Sequence, residues 1–293
     1  MARVVCAGHV NWDVTLRLDR LPAPDGEAVI AGQRESGGGS AANTAAVLAG
    51  LECEPILLGS VGDDRYAARV REELTEVGVD TSHLRTAAEG PTTIKYLLVD
   101  EQGEVMVLAN DGANEAFSAD DLPAETLAGA DHLHLTSQRP ETALALAEAA
   151  SAAGLSVSLD PGRRLDRRDY SSVLDCADIV FLNAREATTV SEDGRLRTTD
   201  RLTVVKQGAD GGEVRWSGQT ARQQAYDVEV VDTTGAGDAF AAGFLAARLD
   251  GASHRKALAV ANACGALAVR TVGARTTVTR ADVEACTGGL LEE

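Results

Sequence analysis

The 293-residue sequence predicts an α/β fold, with a mainly parallel sheet covered by helices and a smaller β-sheet set apart from it. Three observations carry this. Short apolar runs alternate with helix-period runs between residues 132 and 206, the pattern of repeated βα units whose parallel strands are covered on both faces. Two weakly alternating stretches, at about 14–34 and 92–110, surround turn signals instead of helices and predict the separate small sheet. The length allows a sizeable core, and no repeat or low-complexity linker interrupts it. Residues 1–293 therefore read as one domain with the small sheet inserted.

In chain order, residues 3–8 (RVVCAG) form a first apolar strand running into His9-Val10-Asn11-Trp12-Asp13. Asn11 and Asp13 then stand at the carboxyl end of that strand, where open α/β sheets bind ligands; taken alone, these residues read better as a plain turn. Residues 14–18 and 28–34 flank Pro22-Ala23-Pro24-Asp25-Gly26 as a β-excursion. Gly37-Gly38-Gly39 precede an Ala-rich helix to about residue 51, so the backbone can approach a ligand closely. Asn43, early in that helix, offers both a donor and an acceptor to sugar hydroxyls. A strand at 55–61 and an amphipathic helix at 64–77 follow. Residues 92–100 and 104–109 flank Glu101-Gln102-Gly103 as a hairpin.

Strands are then expected at 132–136, 156–160, 179–182 and 202–205, with helices at 141–153 and from 184. His132 and His134 lie within a strand, unaccompanied by a ligand cluster, and read as packed. Asn183 and Glu186 open the helix at 184 three residues apart. They suit either a capping box or a hydrated Mg²⁺, which keeps several waters. Residues 206–212 (KQGADGG) join two apolar strands and read as a hairpin turn.

The apolar approach Val228, Val230, Val231 predicts a strand ending in Asp232-Thr233-Thr234-Gly235-Ala236-Gly237-Asp238, with a buried helix from Ala239 to about Leu249. A glycine turn opening a helix leaves N–H groups pointing outward at the positive end of the dipole, a seat for phosphate. Asp238 would repel phosphate, which suggests a base; a dipole-favoured first-turn residue is the other reading. Residues 253–269 form a last, alanine-dominated helix containing Asn262.

Net charge is -18, which argues against nucleic acid or an anionic membrane as partner. Of 27 basic residues only Lys95, Lys206 and Lys256 are lysine. An acidic, lysine-poor chain suits concentrated salt, where the Debye length falls to about 3 Å; a GC-rich genome would also trade Lys for Arg. The five cysteines (Cys6, Cys53, Cys176, Cys264, Cys286) have no C-x-x-C spacing and suggest a reducing cytoplasm. No signal-peptide pattern opens the chain, and no apolar run reaches about 18 residues.

Over nearly its whole length the chain resembles the PfkB/ribokinase family of carbohydrate kinases, in a haloarchaeal-type version. Gly38-Gly39-Ser40-Ala41-Ala42-Asn43 is similar to the family's first signature and residues 232–238 to its second. The resemblance implies a ribokinase-like three-layer α/β/α domain with a small β-sheet lid. It also implies ATP-dependent transfer of the γ-phosphate to a hydroxyl of a furanose-type sugar. Position by position it implies Asp238 as the base and the amides of Gly235, Ala236 and Gly237 as the anion hole. Asn183 and Glu186 arrange Mg²⁺ through water, Lys206, Gly208 and Gly211 belong to the nucleotide side, and Asn262 lies beside adenine. Asn11, Asp13, Gly38, Gly39 and Asn43 contact sugar hydroxyls. Some relatives hold K⁺, and by that pattern Asp232, Thr234, Ala268, Thr271, Gly273 and Thr277 are the ligand positions.

Departures from the family matter too. Ser40 replaces the lysine of ribokinase, and Ser137-Gln138-Arg139 lacks the acidic residue that touches ribose. Gly162 replaces a common asparagine and is followed by Arg163 and Arg164. With Arg34, Lys95 and Arg139 these supply cations near the acceptor, which suits a sugar phosphate such as ribose 1-phosphate; pairing with surface carboxylates is the alternative. A nucleoside kinase and a catalytically silent sugar-binding regulator are the other readings, and the exposed edge of the small sheet invites a homodimer. A dinucleotide oxidoreductase would want Gly-x-Gly-x-x-Gly after the first strand, where His9-Val10-Asn11 stand instead.

Overall fold

The computed structural model describes residues 1–102, 104–192 and 201–288. Its N-terminal part runs β1 (Arg3–Ala7), β2 (Asn11–Leu18), β3 (Ile30–Gly38), α1 (Ser40–Gly50), β4 (Glu54–Val61), α2 (Arg65–Glu76) and β5 (Leu84–Thr86). Then come β6 (Ile94–Val99), β7 (Val105–Ala109), α3 (Ala124–Ala128), β8 (His132–Thr136), α4 (Pro140–Ala152), β9 (Ser156–Asp160) and α5 (Ser171–Cys176). The remainder is β10 (Ile179–Asn183), α6 (Ala184–Glu192), β11 (Leu202–Lys206), β12 (Gly212–Trp216) and β13 (Gln219–Gln223). Helices α7 (Ala236–Leu249), α8 (His254–Ala268) and α9 (Arg280–Thr287) complete it.

The larger sheet has the order β13-β12-β11-β10-β9-β8-β1-β4-β5. Its pairings are parallel from β11 to β5, and β12 and β13 are added antiparallel at one edge. Side chains on a strand point alternately to opposite faces, and the core divides accordingly. Val4 and Cys6 join α1, α2, α7 and α8 on one side. Val5 and Ala7 join α3, α4, α5 and α6 on the other. The register aligns Thr136 with Asp160 and Asn183 with Lys206, so these polar side chains share the carboxyl edge of the sheet.

The predicted three-layer α/β fold with a small sheet is borne out, with shifted boundaries. The small sheet has the order β3-β2-β6-β7. Strand β2 begins earlier than expected and β3 ends later, so Asn11 and Asp13 belong to β2 and Gly37 and Gly38 to the end of β3. The hairpin of β6 and β7 is present; Gly103 of its turn lies outside the described residues. The strand expected at 228–231 does not form. There the chain is irregular, held by Val231 N–H donating to the Val269 carbonyl at 2.7 Å, and Val230 and Val231 stay exposed. Helix α7 starts three residues before the expected Ala239, because Gly235 adopts the left-handed N-cap conformation (φ 78°). Helices α7 and α8 pack closely through small residues: a Cβ on Gly243 would sit 2.6 Å from Cys264 Sγ.

Candidate active site

A cleft of about 910 Å³ opens between the small sheet and the carboxyl edge of the larger one. It brings Gly39, Ser40 and Asn43 together with Asn183 and Glu186 and with residues 230–235, Gly237 and Asp238.

Asp238 stands in the first turn of α7, half-buried, its carboxylate accepting from Asn43 Nδ2 at 2.9 Å. Burial pushes its pKa up to about 6; the Asn43 bond opposes this, nearby Asp160 adds to it, and Lys206 and Lys95 pull back. Beside it, Ala236 N–H makes a 3.3 Å bond to the Thr233 carbonyl, while the N–H groups of Gly235 and Gly237 have no backbone partner among the described residues. A side chain on Gly235 would overlap the Ala274 carbonyl, so only glycine permits this turn. Dipole and free amides together make a seat for developing negative charge.

The acceptor side is formed where β2 and β3 meet α1. Asp13 is 5% exposed and burial lifts its pKa to about 6, against the charges of Lys95 and Arg275. Glycine at 38 is required because a Cβ would overlap the Asp13 carboxylate; Gly39 (φ 97°) leaves no room against the His9 carbonyl. Three polar atoms here lack partners: Asp13 Oδ1, Asn43 Oδ1 and Asn11 Nδ2. Buried polar atoms are rarely left so, and two acceptors with one donor match the hydroxyls of a sugar. Asn114 joins them, its Nδ2 donating to Asn11 Oδ1 at 2.5 Å and its Oδ1 accepting from Val10 N–H at 3.0 Å.

On the phosphate side, Asn183 and Glu186 form a reciprocal cap: Asn183 N–H donates to Glu186 Oε2 and Glu186 N–H to Asn183 Oδ1, both at 2.8 Å. The second Glu186 oxygen has no hydrogen bond among the described residues. Burial raises the Glu186 pKa, with Asp160 adding to it. Lys206 pairs with Asp160, and its Nζ lies 3.5 Å from where a Cβ on Gly237 would stand. Among the described residues no group of three or more His, Cys, Asp or Glu has a metal-site arrangement. One uncommitted carboxylate oxygen beside others fits Mg²⁺ held through water, and no fully protein-ligated ion.

Asp232 braces the turn before α7. Its Oδ1 accepts from Thr234 N–H (2.9 Å) and hydroxyl (2.7 Å), and its Oδ2 from Gly273 N–H at 2.8 Å. Thr271 Oγ1 lies 3.2 Å from Thr276 Oγ1, whereas Thr277 is exposed. The following Arg275 donates to Glu73 Oε2 at 2.8 Å and reaches the Gly38 carbonyl at 3.4 Å; Glu73 also accepts from Gly37 N–H at 2.9 Å.

Other expected positions fall elsewhere. Asn262 does not line the cleft: its Nδ2 donates to the carbonyls of Gln223 (3.1 Å) and Gln224 (3.4 Å), tying α8 to the end of β13. Gly208 and Gly211 bound the turn between β11 and β12, outside the cleft. His132 and His134 are packed, linked to Ser156 and Ser158 at 2.6–2.7 Å. Arg163 lines the cleft, and Arg139 does not. Sequence reasoning missed Asp160 as a site residue, although a carboxylate ending a parallel strand was a readable signal. It also missed Glu115, which lies in an irregular loop without pattern. That carboxylate is buried among His9 Nε2 (2.8 Å), Arg164 (3.0 Å), Arg168 (2.7 Å) and Arg139 (3.5 Å).

Comparison with known proteins gives a consistent picture. The profile of the pfkB family carbohydrate kinases matches residues 1–281. Against an ATP-dependent ribose-1-phosphate kinase of Halopiger xanaduensis the chain is 52% identical over 283 residues, covering 95% of this chain and 96% of that protein. It is 29% identical to a nucleoside kinase of Methanothermobacter thermautotrophicus, covering 94% and 92%. Arabidopsis thaliana ribokinase complexed with ribose and ATP superposes with a TM-score of 0.86 at 27% identity, covering 98% and 99%.

Proposed function

The chain belongs to the pfkB family of carbohydrate kinases and is an ATP-dependent sugar kinase; from that premise we propose that it phosphorylates a free hydroxyl of a furanose, with ribose 1-phosphate the favoured acceptor. The 52% identical relative supports the sugar phosphate over an unphosphorylated sugar. The observation that carries the chemistry is Asp238, held by Asn43 at 2.9 Å beside the unbonded amides of α7. Asp13, Asn43 and Asn11 orient the acceptor hydroxyls. Asp238 takes the proton of the reacting hydroxyl as its oxygen bonds to the γ-phosphorus and the bond from that phosphorus to the β–γ bridging oxygen breaks, releasing ADP. The amides of Gly235 and Gly237 and the Lys206 ammonium face the charge that develops. Mg²⁺ would be held through water by Glu186, with Asn183 fixing that carboxylate, and when bound supplies charge neutralisation to the phosphates.

The loop of Asp232, Thr234, Ala268, Thr271, Gly273 and Thr277 is the proposed K⁺ position, where Asp232 spends both oxygens on the loop's own donors. Equal rates in KCl and in a non-activating chloride at matched ionic strength would remove it. A homodimer through the small sheet is supported by exposed Tyr96, Met106 and Leu108, and sedimentation reads it directly.

An ADP-release screen in molar KCl over ribose, fructose, nucleosides and ribose 1-phosphate tests the acceptor. Turnover is expected with ribose 1-phosphate, and a preference for an unphosphorylated acceptor would sink that reading.

A further inference from the structure

We propose, resting on the ribose 1-phosphate reading, that Lys95, Arg163 and Arg164 hold the phosphate the acceptor already carries, and that buried Glu115 positions this cluster. The three cations come from opposite walls of one cleft, Lys95 from β6 of the small sheet and the arginines from the turn that follows β9. Neither Lys95 nor Arg163 has an ion-pair partner among the described residues.

Arg164 is fastened. Its Nη1 donates to Glu115 Oε1 at 3.0 Å, and Arg168 donates to both oxygens of the same carboxylate, at 2.7 and 3.1 Å. Arg139 approaches it at 3.5 Å. Three guanidinium groups therefore share one carboxylate, a local excess of cations behind the one of them, Arg164, that lines the cleft. Such an excess stands out in a chain of net charge -18. Glu115 holds a left-handed backbone (φ 72°), a conformation that persists in a non-glycine residue where its surroundings over-determine it.

His9 marks where the two walls converge. Burial lowers its pKa, its bond to Glu115 opposes this, and the charges of Arg164 and Lys95 both press on the ring. Guanidinium groups grip phosphate oxygens as a fork, and an ammonium from the facing wall completes the enclosure. The transferred phosphate has its own seat at Gly235, Gly237 and Lys206, so the second cationic group serves a second phosphate.

Steady-state kinetics on wild type, R163A, R164A, E115Q and K95A decide it, with R167A as an exposed control outside the cleft and thermal unfolding as the folding check. The KM for ribose 1-phosphate should rise about tenfold or more in R163A and R164A. The KM for ATP should stay within about twofold. E115Q should move the same KM in the same direction, and inorganic phosphate should compete with ribose 1-phosphate more weakly in each variant. R163K should recover part of the loss. If R164A fails to fold, R163A carries the test, because that side chain has no partner to lose. A rise in the KM for ATP would assign the arginines to the nucleotide and overturn the proposal. Wild-type conversion with an unmoved KM in R163A would overturn the subsite alone. No conversion by wild type would overturn the acceptor reading and the subsite with it.

Discussion

A base that must take a proton near neutrality works best when its own proton affinity is raised, and at Asp238, the proposed base, burial does most of this. With its pKa near 6, kcat/KM should fall about tenfold per pH unit below that value as the carboxylate protonates. D238N should lower kcat by about three orders of magnitude or more with ATP affinity nearly intact. It should also alter stability with a definite sign. A carboxyl raised from 3.8 to about 6 binds its proton more tightly folded than unfolded, so this group destabilises the fold as pH rises through that window. D238N should therefore melt higher than wild type at pH 7 and converge with it near pH 4. Near-normal turnover, or no change in the melting gap with pH, would remove Asp238 from the role. At this scale Asp238 was legible in advance, because hydroxyls, two glycines and a carboxylate precede an apolar run. Glu115 was not, since its position depends on arginines 24 to 53 residues away converging in space.

Between strands β8 and β9 the two histidines and two serines form a buried ladder in which both rings are held neutral, their pKa values pushed down to about 3 by burial first. The unfolded chain protonates them near 6.5, so it binds more protons than the native state between those values. This contribution is complete above about pH 6.5 and is lost as pH falls toward 3. Acid unfolding followed by circular dichroism should start at higher pH in wild type than in H132N/H134N; coincident curves would refute the assignment. Strand and helix periods made most of the elements readable. Two kinds were not. The valines at 228–231 imitate a strand, yet the segment pairs with no strand among the described residues and leans on the end of α8. Short α3, α5 and β5 carry too few residues for a period to emerge. Helix α9 did announce itself, through the capping box of Thr279 and Asp282, and could have been found.

Across the whole molecule, acidic residues outnumber basic ones by 45 to 27, and the excess must be tolerated by the folded chain. Self-repulsion weakens as salt shortens the Debye length to about 3 Å at 1 M, so the unfolding midpoint should rise steadily between 0.1 and about 2 M KCl. A midpoint insensitive to salt would mean that the charge is already neutralised locally. The division into a larger and a smaller sheet was readable from composition and turn signals, whereas their junction was not, because it is made by loops. One such junction reaches further than its size suggests. Residues 273–275 grip Asp232, crowd Gly235, reach the Gly38 carbonyl directly through Arg275 and hold Gly37 through Glu73. The end of β3 is thereby tied to the turn that precedes α7, so the small sheet cannot shift there without straining that turn.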